Sequence, residues 1–203
     1  MTPLLLIGGG GHCRSCIDVI EATSKYSIRG IVQERSHEKS LILNYPTLGF
    51  DEDLKHLITE NSEALIAVGQ IKRPDTRVRL FNLIKGLGAR LPIIQSPTAY
   101  RSPHSDVGEG TILMHGCLVN VNSSIGTNCI INSFALIEHD VKIGDHCHIS
   151  TGSRINGDVS IGEGTFIGSG CVIKEGVTIG SRVVIGAGKV VIKDIPAKTI
   201  VST

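Results

Sequence analysis

The stretch ALIEHDVKIGDHCHIS, residues 135–150, gathers three histidines, one cysteine and three acids. Those residue types support two chemistries. An imidazole beside a carboxylate is a general base, because the carboxylate fixes the tautomer and raises the basicity of the other ring nitrogen. Histidine, cysteine and acid together are also zinc ligands, provided that they converge within about 2.3 Å of one point. The choice between the two depends on where each side chain points, and therefore on the elements that carry them.

From Val107 onward an aliphatic residue recurs at every sixth position, through Leu113, Val119 and Ile125 to Ile185 and Val191, without a slip. Four residues after each comes a second register of small or β-branched residues, among them Thr111, Cys117, Cys129, Ala135, Val141 and Cys147. Glycine often follows the aliphatic residue, as in IGTN, IGDH and IGEG. A strict period of six with one position always aliphatic is the mark of a parallel β-helix. Three hexads build one triangular coil, with the aliphatic residue inside and the glycine expected to turn the corner.

This register places the histidines. Cys147 faces the interior, so His146 and His148 face away from it, because neighbours on a strand alternate sides. An H-C-H run thus sends its middle ligand the wrong way for zinc. Cys117, Cys129 and Cys171 are interior packers by the same count. His146 reads as an exposed polar residue. His139 and His148 are nine residues apart, half a coil, and so lie on different faces. They meet only across a groove between two copies, which a threefold assembly would create. His139 stands between Glu138 and Asp140. One coil beyond it is Gly157, where a missing side chain leaves room and a backbone N–H suited to an oxyanion.

The first half has another period. LLLIG (4–8), IRGIV (28–32), ALIAVG (64–69) and ARLPII (89–94) read as buried strands. Between them lie helical segments, including DEDLKHLI and TRVRLFNLIKGLG, the latter stopped by Gly86 and Gly88. Alternating strands and helices predict a small parallel α/β sheet over residues 1–98, followed by the β-helix over 99–203. The boundary is set in QSPTAYRSPHSDVG. Gly8, Gly9, Gly10, Gly11 and His12 follow a strand and open a helix, so their N–H groups can hold phosphate. The third glycine of a dinucleotide fingerprint would fall at Cys13, which argues against NAD. Cys13 and Cys16 have C-x-x-C spacing without the rest of a redox pattern. Arg73, Arg77 and Arg79 could reach a substrate phosphate, but a solvated helix face is the preferred reading.

Composition narrows the classes further. A formal charge of +1 gives no electrostatic reason to expect nucleic acid or an anionic membrane as partner. No apolar run approaches the roughly 20 residues that span a bilayer. The opening MTPLLLIGGGG lacks a charged n-region and reads as a buried strand, not a signal peptide. Six cysteines without a secretory signal point to reduced thiols and a cytoplasmic protein.

The hexads, with IGGGGH, AVGQ, IINSFALIEHD, CHIS and IGAGKVVIKDIPAK in place, resemble the left-handed β-helix sugar O/N-acetyltransferases. That family includes enzymes acting on UDP-linked 4-amino-sugars and the sialic acid O-acetyltransferases. The resemblance implies a left-handed β-helix, a homotrimer, acetyl-CoA as co-substrate and no metal. It implies that His139 is the general base, that Asp140 orients it, and that Asn132 places the acceptor. It implies that His148 approaches the thioester from the neighbouring subunit. Gly157, Ser169 and Ala187 fall where relatives hold the pantetheine arm and acetyl group. The glycine loop with Gln33 and Glu34 would bind the nucleotide sugar; relatives acting on UDP-sugars often carry two acids at that last pair. The tail DIPAKTIVST is where relatives usually continue, so contacts to the adenine end of CoA are expected to differ.

The implied reaction is N-acetylation of a nucleotide-linked 4-amino-sugar for surface glycans. Sialic acid O-acetylation with the same base is the nearest alternative. A γ-carbonic-anhydrase-like zinc enzyme is more distant and requires three convergent outward histidines. A sugar-nucleotide-binding scaffold without catalysis completes the set.

Overall fold

The computed structural model describes residues 1–35 and 41–202. The first layer is a five-stranded sheet of β1 (Thr2–Ile7), β2 (Tyr26–Gln33), β3 (Leu41–Ile42), β4 (Tyr45–Phe50) and β5 (Glu63–Ile66), in the order β3-β4-β2-β1-β5. All neighbours are parallel except β3 and β4, which form a hairpin. The sequence pattern showed neither of those two. Helices α1 (Gly11–Thr23) and α3 (Asp75–Gly86) lie between strands, with the single turn α2 (Leu54–Leu57) after a 3₁₀ turn. Leu4 and Leu6 face the α1 side and Leu5 and Ile7 the α3 side, so the run is apolar on both faces, as expected of a parallel sheet.

ARLPII is not the sheet strand that its composition predicted. Arg90 makes only an isolated bridge to Glu63, and Ile94–Gln95 pairs with Ile112–Leu113. That pairing makes it the first rung of the second architecture, ahead of the boundary expected at residue 98. Aliphatic content did not distinguish the two sheets, because both bury the same residue types.

The rest is a left-handed parallel β-helix of two-residue strands in three stacked sheets, with partners one coil apart, such as Leu136 and Arg154. Every aliphatic position from Leu113 to Ile185 is buried inside it, and so is the second register. The small residues there have a task beyond packing. Thr111, Ser153 and Thr165 donate hydroxyls to Gly126, Gly168 and Gly180 carbonyls at 2.8–2.9 Å. The thiols of Cys129, Cys147 and Cys171 do the same to Gly144, Gly162 and Gly186. A buried carbonyl left without a donor is costly, which explains why this register mixes Ser, Thr and Cys with Val.

The corners depart from expectation. Positive φ recurs at every sixth residue from Gly110 to Gly188, and each lies three after the aliphatic residue. Asn122, Asn128, Asp140, His146 and even Phe134 take this left-handed turn at φ of 53–63°. The glycine directly after the aliphatic position serves close approach instead. A Cβ on Gly126, Gly144 or Gly162 would stand 2.5–2.8 Å from a backbone nitrogen of the next coil.

The three faces differ in what their outward residues offer. The face of Ile94, Ile112, Ile130 and His148 is covered by the N-terminal layer and shares its core. The face of Asp106, Ser124, Lys142 and Thr178 is polar and exposed. The third, with Tyr100, Leu118, Leu136, Val172 and Val190, is largely apolar and uncovered, Tyr100 and Val190 being 56% and 68% exposed.

One corner is sutured to the N-terminal layer on successive coils. Arg77 donates to the backbone and side-chain oxygens of Asn128 at 3.1 and 2.8 Å, and to the carbonyls of Ile66 and Val68. Gln70 Nε2 donates to the His146 carbonyl at 3.0 Å, Pro74 lies beside Gly164, and Arg182 pairs with Asp75 at 3.0 Å. Arg77 is therefore not on a solvated face; it is 1% exposed. Nor is His146 exposed. It is buried under the Phe81 ring, its Nδ1 accepting from Asn128 Nδ2 at 3.0 Å. His146 points away from the β-helix core into the covering layer, and Arg77 points from that layer onto the same corner, which a hexad count does not show.

Candidate active site

Two clusters carry the chemistry. The first is a cavity of about 670 Å³ between the N-terminal layer and the β-helix. Gly8–His12 form one wall, Val68–Ile71 another, and Asn132 and His148 the β-helix side. Glu34, Asp51 and Arg79 also line it, Arg79 being paired with Asp51 at 2.8 Å. Glycine is required in the loop by close approach. A Cβ on Gly8, whose φ is +115°, would lie 2.7 Å from the Val68 nitrogen, and one on Gly9 would overlap the Gln33 amide oxygen. Gln33 thus lies buried beneath the loop, while Glu34 reaches the cavity. The expected pair is split, because successive residues at the end of β2 point to opposite sides.

His148 sits in the covered face, 7% exposed. Its Nδ1 bonds the Gln70 carbonyl at 2.5 Å and its Nε2 the Asn132 amide at 3.2 Å. The ring is edge-on to Phe166, with His12 6.4 Å away. Burial pushes the His148 pKa down to about 4, and burial with the Arg77 charge pushes His12 to about 3. Both are neutral at neutral pH. Both ring nitrogens of His148 are bonded within its own chain.

The second cluster lies at the corner that follows the apolar face. His139 Nδ1 bonds Asp140 Oδ2 at 2.7 Å. The carboxylate can only accept, so Nδ1 carries the proton and Nε2 is left as the base. Asp140 also accepts from Asn122 at 2.5 Å, and these two bonds, Asn122 first, hold its carboxyl below the usual range. Glu138 is bonded to Asn120 instead. The ring lies over Gly157, where a Cβ would come within 2.6 Å of Cε1. Ser169 and Ala187 are exposed at another corner, one coil apart, so they do not meet Gly157 in one chain. His139 and the Asn132–His148 pair likewise occupy different faces.

Among the described residues no three of His, Cys, Asp and Glu converge as metal ligands. Among the described residues no helix is long and apolar enough to cross a membrane. The six cysteines are free and buried, and burial pushes the thiols of Cys13 and Cys117 up to about 12 and raises that of Cys16 as well. Nothing in the sequence marks Gln70 and Asp51 as cavity residues, AVGQ giving the segment of the first without what it faces, and Arg79 lines the cavity where a solvated helix face is expected.

A β-helix carrying a histidine–carboxylate pair, fused to a glycine-loop cavity, defines an enzyme of the hexapeptide acyltransferase class. Residues 3–83 match the PglD N-terminal domain family, and 122–157 and 158–193 match the bacterial transferase hexapeptide repeat. PerB from Caulobacter crescentus, solved with CoA and GDP-perosamine, is 32% identical, with a TM-score of 0.90 over 98% of this chain and 93% of that one. The acetyltransferase domain of PglB from Neisseria gonorrhoeae is 28% identical, with a TM-score of 0.91 over 98% and 96%. WeeI from Acinetobacter baumannii, at 23% identity and a TM-score of 0.86 over 98% and 96%, shares the fold. No curated protein matches. The chain belongs to the hexapeptide-repeat sugar O/N-acetyltransferase family, and it is an acetyltransferase.

Proposed function

We propose that the protein transfers acetyl from acetyl-CoA to the amino group of a nucleotide-linked 4-amino-sugar, as a cytoplasmic homotrimer serving surface glycan synthesis. The observation that carries this reading is the His139–Asp140 pair, its free Nε2 beside the backbone of Gly157. The acceptor nitrogen attacks the thioester carbonyl carbon and gives its proton to Nε2. The N–H of Gly157 faces the oxygen on which charge develops. The C–S bond then breaks, and the departing CoA thiolate takes the proton from the imidazolium. Asp140, fixed by Asn122, stays ionised throughout the range in which an imidazole titrates, so it holds the ring in one tautomer.

The acceptor end of the sugar nucleotide belongs in the glycine-loop cavity. PerB binds GDP-perosamine, an amino-sugar on a nucleoside diphosphate, and this supports the same class here. His139 lies outside that cavity in one chain, so the complete site needs a second copy. The uncovered apolar face, which adjoins the His139 corner, is the surface a second copy would bury. Ser169 and Ala187 would line the same groove with CoA.

The test is acetyl transfer, followed by thiol release, against UDP-, dTDP- and GDP-linked 4-amino-sugars and free and CMP-linked sialic acid. Each is run with wild type and His139→Ala. Turnover of one amino-sugar that collapses in the variant supports the proposal. Turnover of sialic acid alone replaces it with O-acetylation, and an unaffected variant removes His139 as the base.

A further inference from the structure

Leu136, on the apolar face, is bracketed by two successive corners, Phe134 and Asp140, at φ of 58° and 63°. Aspartate tolerates this left-handed region, whereas a bulky phenylalanine is an outlier there. The residues stacked with Phe134 on its edge are Gly116, Gly152, Gly170 and Gly188, which take the same turn without strain. The Phe134 ring lies over Gly116, where an added Cβ would stand 2.6 Å from Cε1. Even so, Phe134 is 70% exposed. A Cβ on Gly152, Gly170 or Gly188 meets nothing within 4 Å, so this large apolar side chain stands on an otherwise bare edge. Strain and exposure both cost stability, and an outlier of this kind points to a use.

The opposite edge of the same face carries His139, so the two rings do not meet within one chain. His139 rests on Gly157, and its side chain is 58% exposed. Val121, one coil before it on that edge, is 42% exposed, and its carbonyl accepts the Asp140 N–H. A threefold ring is heterologous, setting one edge of each copy against the opposite edge of the next. With the axis along the coils, every residue keeps its height. Phe134 and His139 belong to one coil, so the ring of one copy arrives level with the His139 edge of its neighbour. We infer that Phe134 packs against the His139–Val121 edge of the neighbouring copy, as a positioning residue that holds the neighbour's imidazole and keeps water from its outer side. This rests on the proposed homotrimer, and it divides the base and its aromatic wall between two chains.

Charge supports the same docking. Arg154 is the one charged residue among the outward positions of the apolar face, between Leu136 and Val172. It is exposed and forms no ion pair among the described residues. The edge that would come against this face holds Glu138, Asp140 and Asp158. Face and edge therefore carry opposite signs, which fixes which of the two edges a neighbour presents.

The experiment is complementation between copies. Phe134→Gly should fold, because glycine takes this corner in the stacked coils. It should lower kcat about tenfold, the effect of one lost aromatic contact, with the KM of both substrates unchanged. Phe134→Tyr, which keeps the ring, should restore the rate. Phe134→Gly and His139→Ala chains are then co-expressed with different tags, and trimers holding both are purified through the two tags in succession. In either mixed ring about one site in three joins an intact base to an intact aromatic wall, so these trimers should turn over at about a third of the wild-type rate. A rate below about a tenth, the mere average of the two variants, would place both groups in one chain and overturn the inference. So would a Phe134→Gly enzyme of wild-type rate, or one with kcat intact and the sugar-nucleotide KM raised. Wild type that sediments as a monomer, or turns over no amino-sugar, would instead count against the proposed function.

Discussion

Gly157→Ala separates the placement of the base from the integrity of the coil. An added methyl would lie 2.6 Å from Cε1 of His139, 2.9 Å from Nε2 and 3.2 Å from Nδ1. Ordinary contacts between such atoms are about 3.5–4.0 Å, so the ring must retreat by about 1 Å. It has somewhere to go, because the His139 side chain is 58% exposed. Gly157 is not among the left-handed residues, so alanine can take its backbone conformation. Stability should therefore change by less than about 1 kcal/mol, within the range of a surface substitution. Activity should not survive so well. A misplacement of about 1 Å costs on the order of 10²-fold, and loss of a general base costs about 10²–10⁴-fold. The assay is kcat by thiol release with saturating substrates, beside a thermal melt and the same change in a His139→Ala background. The expected result is a fall of about 10² with an unshifted melt, and no further loss in the double variant. A Gly157→Ala enzyme within about threefold of wild type, less than 1 kcal/mol in the barrier, would refute the placement of the base over this glycine.

Two further outcomes follow from the same geometry. Gly180→Ala would put a methyl 2.3 Å from the Ala197 nitrogen, backbone against backbone, and should cost about 2 kcal/mol or more. Gly176→Ala meets nothing within 4 Å and bears only the left-handed strain at φ +70°, about 1 kcal/mol; urea midpoints should rank the two in that order. Lowering the pH should also destabilise the fold. His12 and His148 have folded pKa values of about 3 and about 4 against 6.5 when unfolded, so between pH 6.5 and 4 the unfolded chain binds more protons. Stability is thus full above pH 7 and should fall by about 2 kcal/mol per histidine at pH 5, a slope that His148→Gln should reduce. A urea midpoint flat from pH 7 to 5 would show that neither histidine is held neutral.

The hexads were legible because a β-helix repeats one environment, so a single apolar residue per six positions is visible however varied the others are. The same count gave His139, Asp140 and Gly157 their common corner, since one coil is a fixed number of residues. What the count lacked was everything that approaches from outside the coil. His146 and His148 point away from the β-helix core and Arg77 reaches toward it from α3, and all three are buried because the N-terminal layer lies against that face. Charge and polarity signalled solvent, whereas these groups are satisfied by carbonyls and amides across the seam. The corner glycines misled in another way. Their regular placement signalled a turn, but the turn falls two residues later, at positions that include Asn122, Asp140 and His146, types that tolerate the left-handed region, and Phe134, whose side chain does not announce it.

Pairing at a constant offset of one coil, Leu136 to Arg154 and Arg154 to Val172, makes length a quantised property of this enzyme. Removing or adding a whole coil leaves every remaining side chain on its face and moves it along the axis by about 4.8 Å. Any other insertion within a strand rotates everything beyond it onto a different face, taking Gly157 from beneath His139. Change in such a chain can therefore proceed by whole coils or by loops extruded at the corners, and the spacing between the base and the sugar cavity has few values available to it.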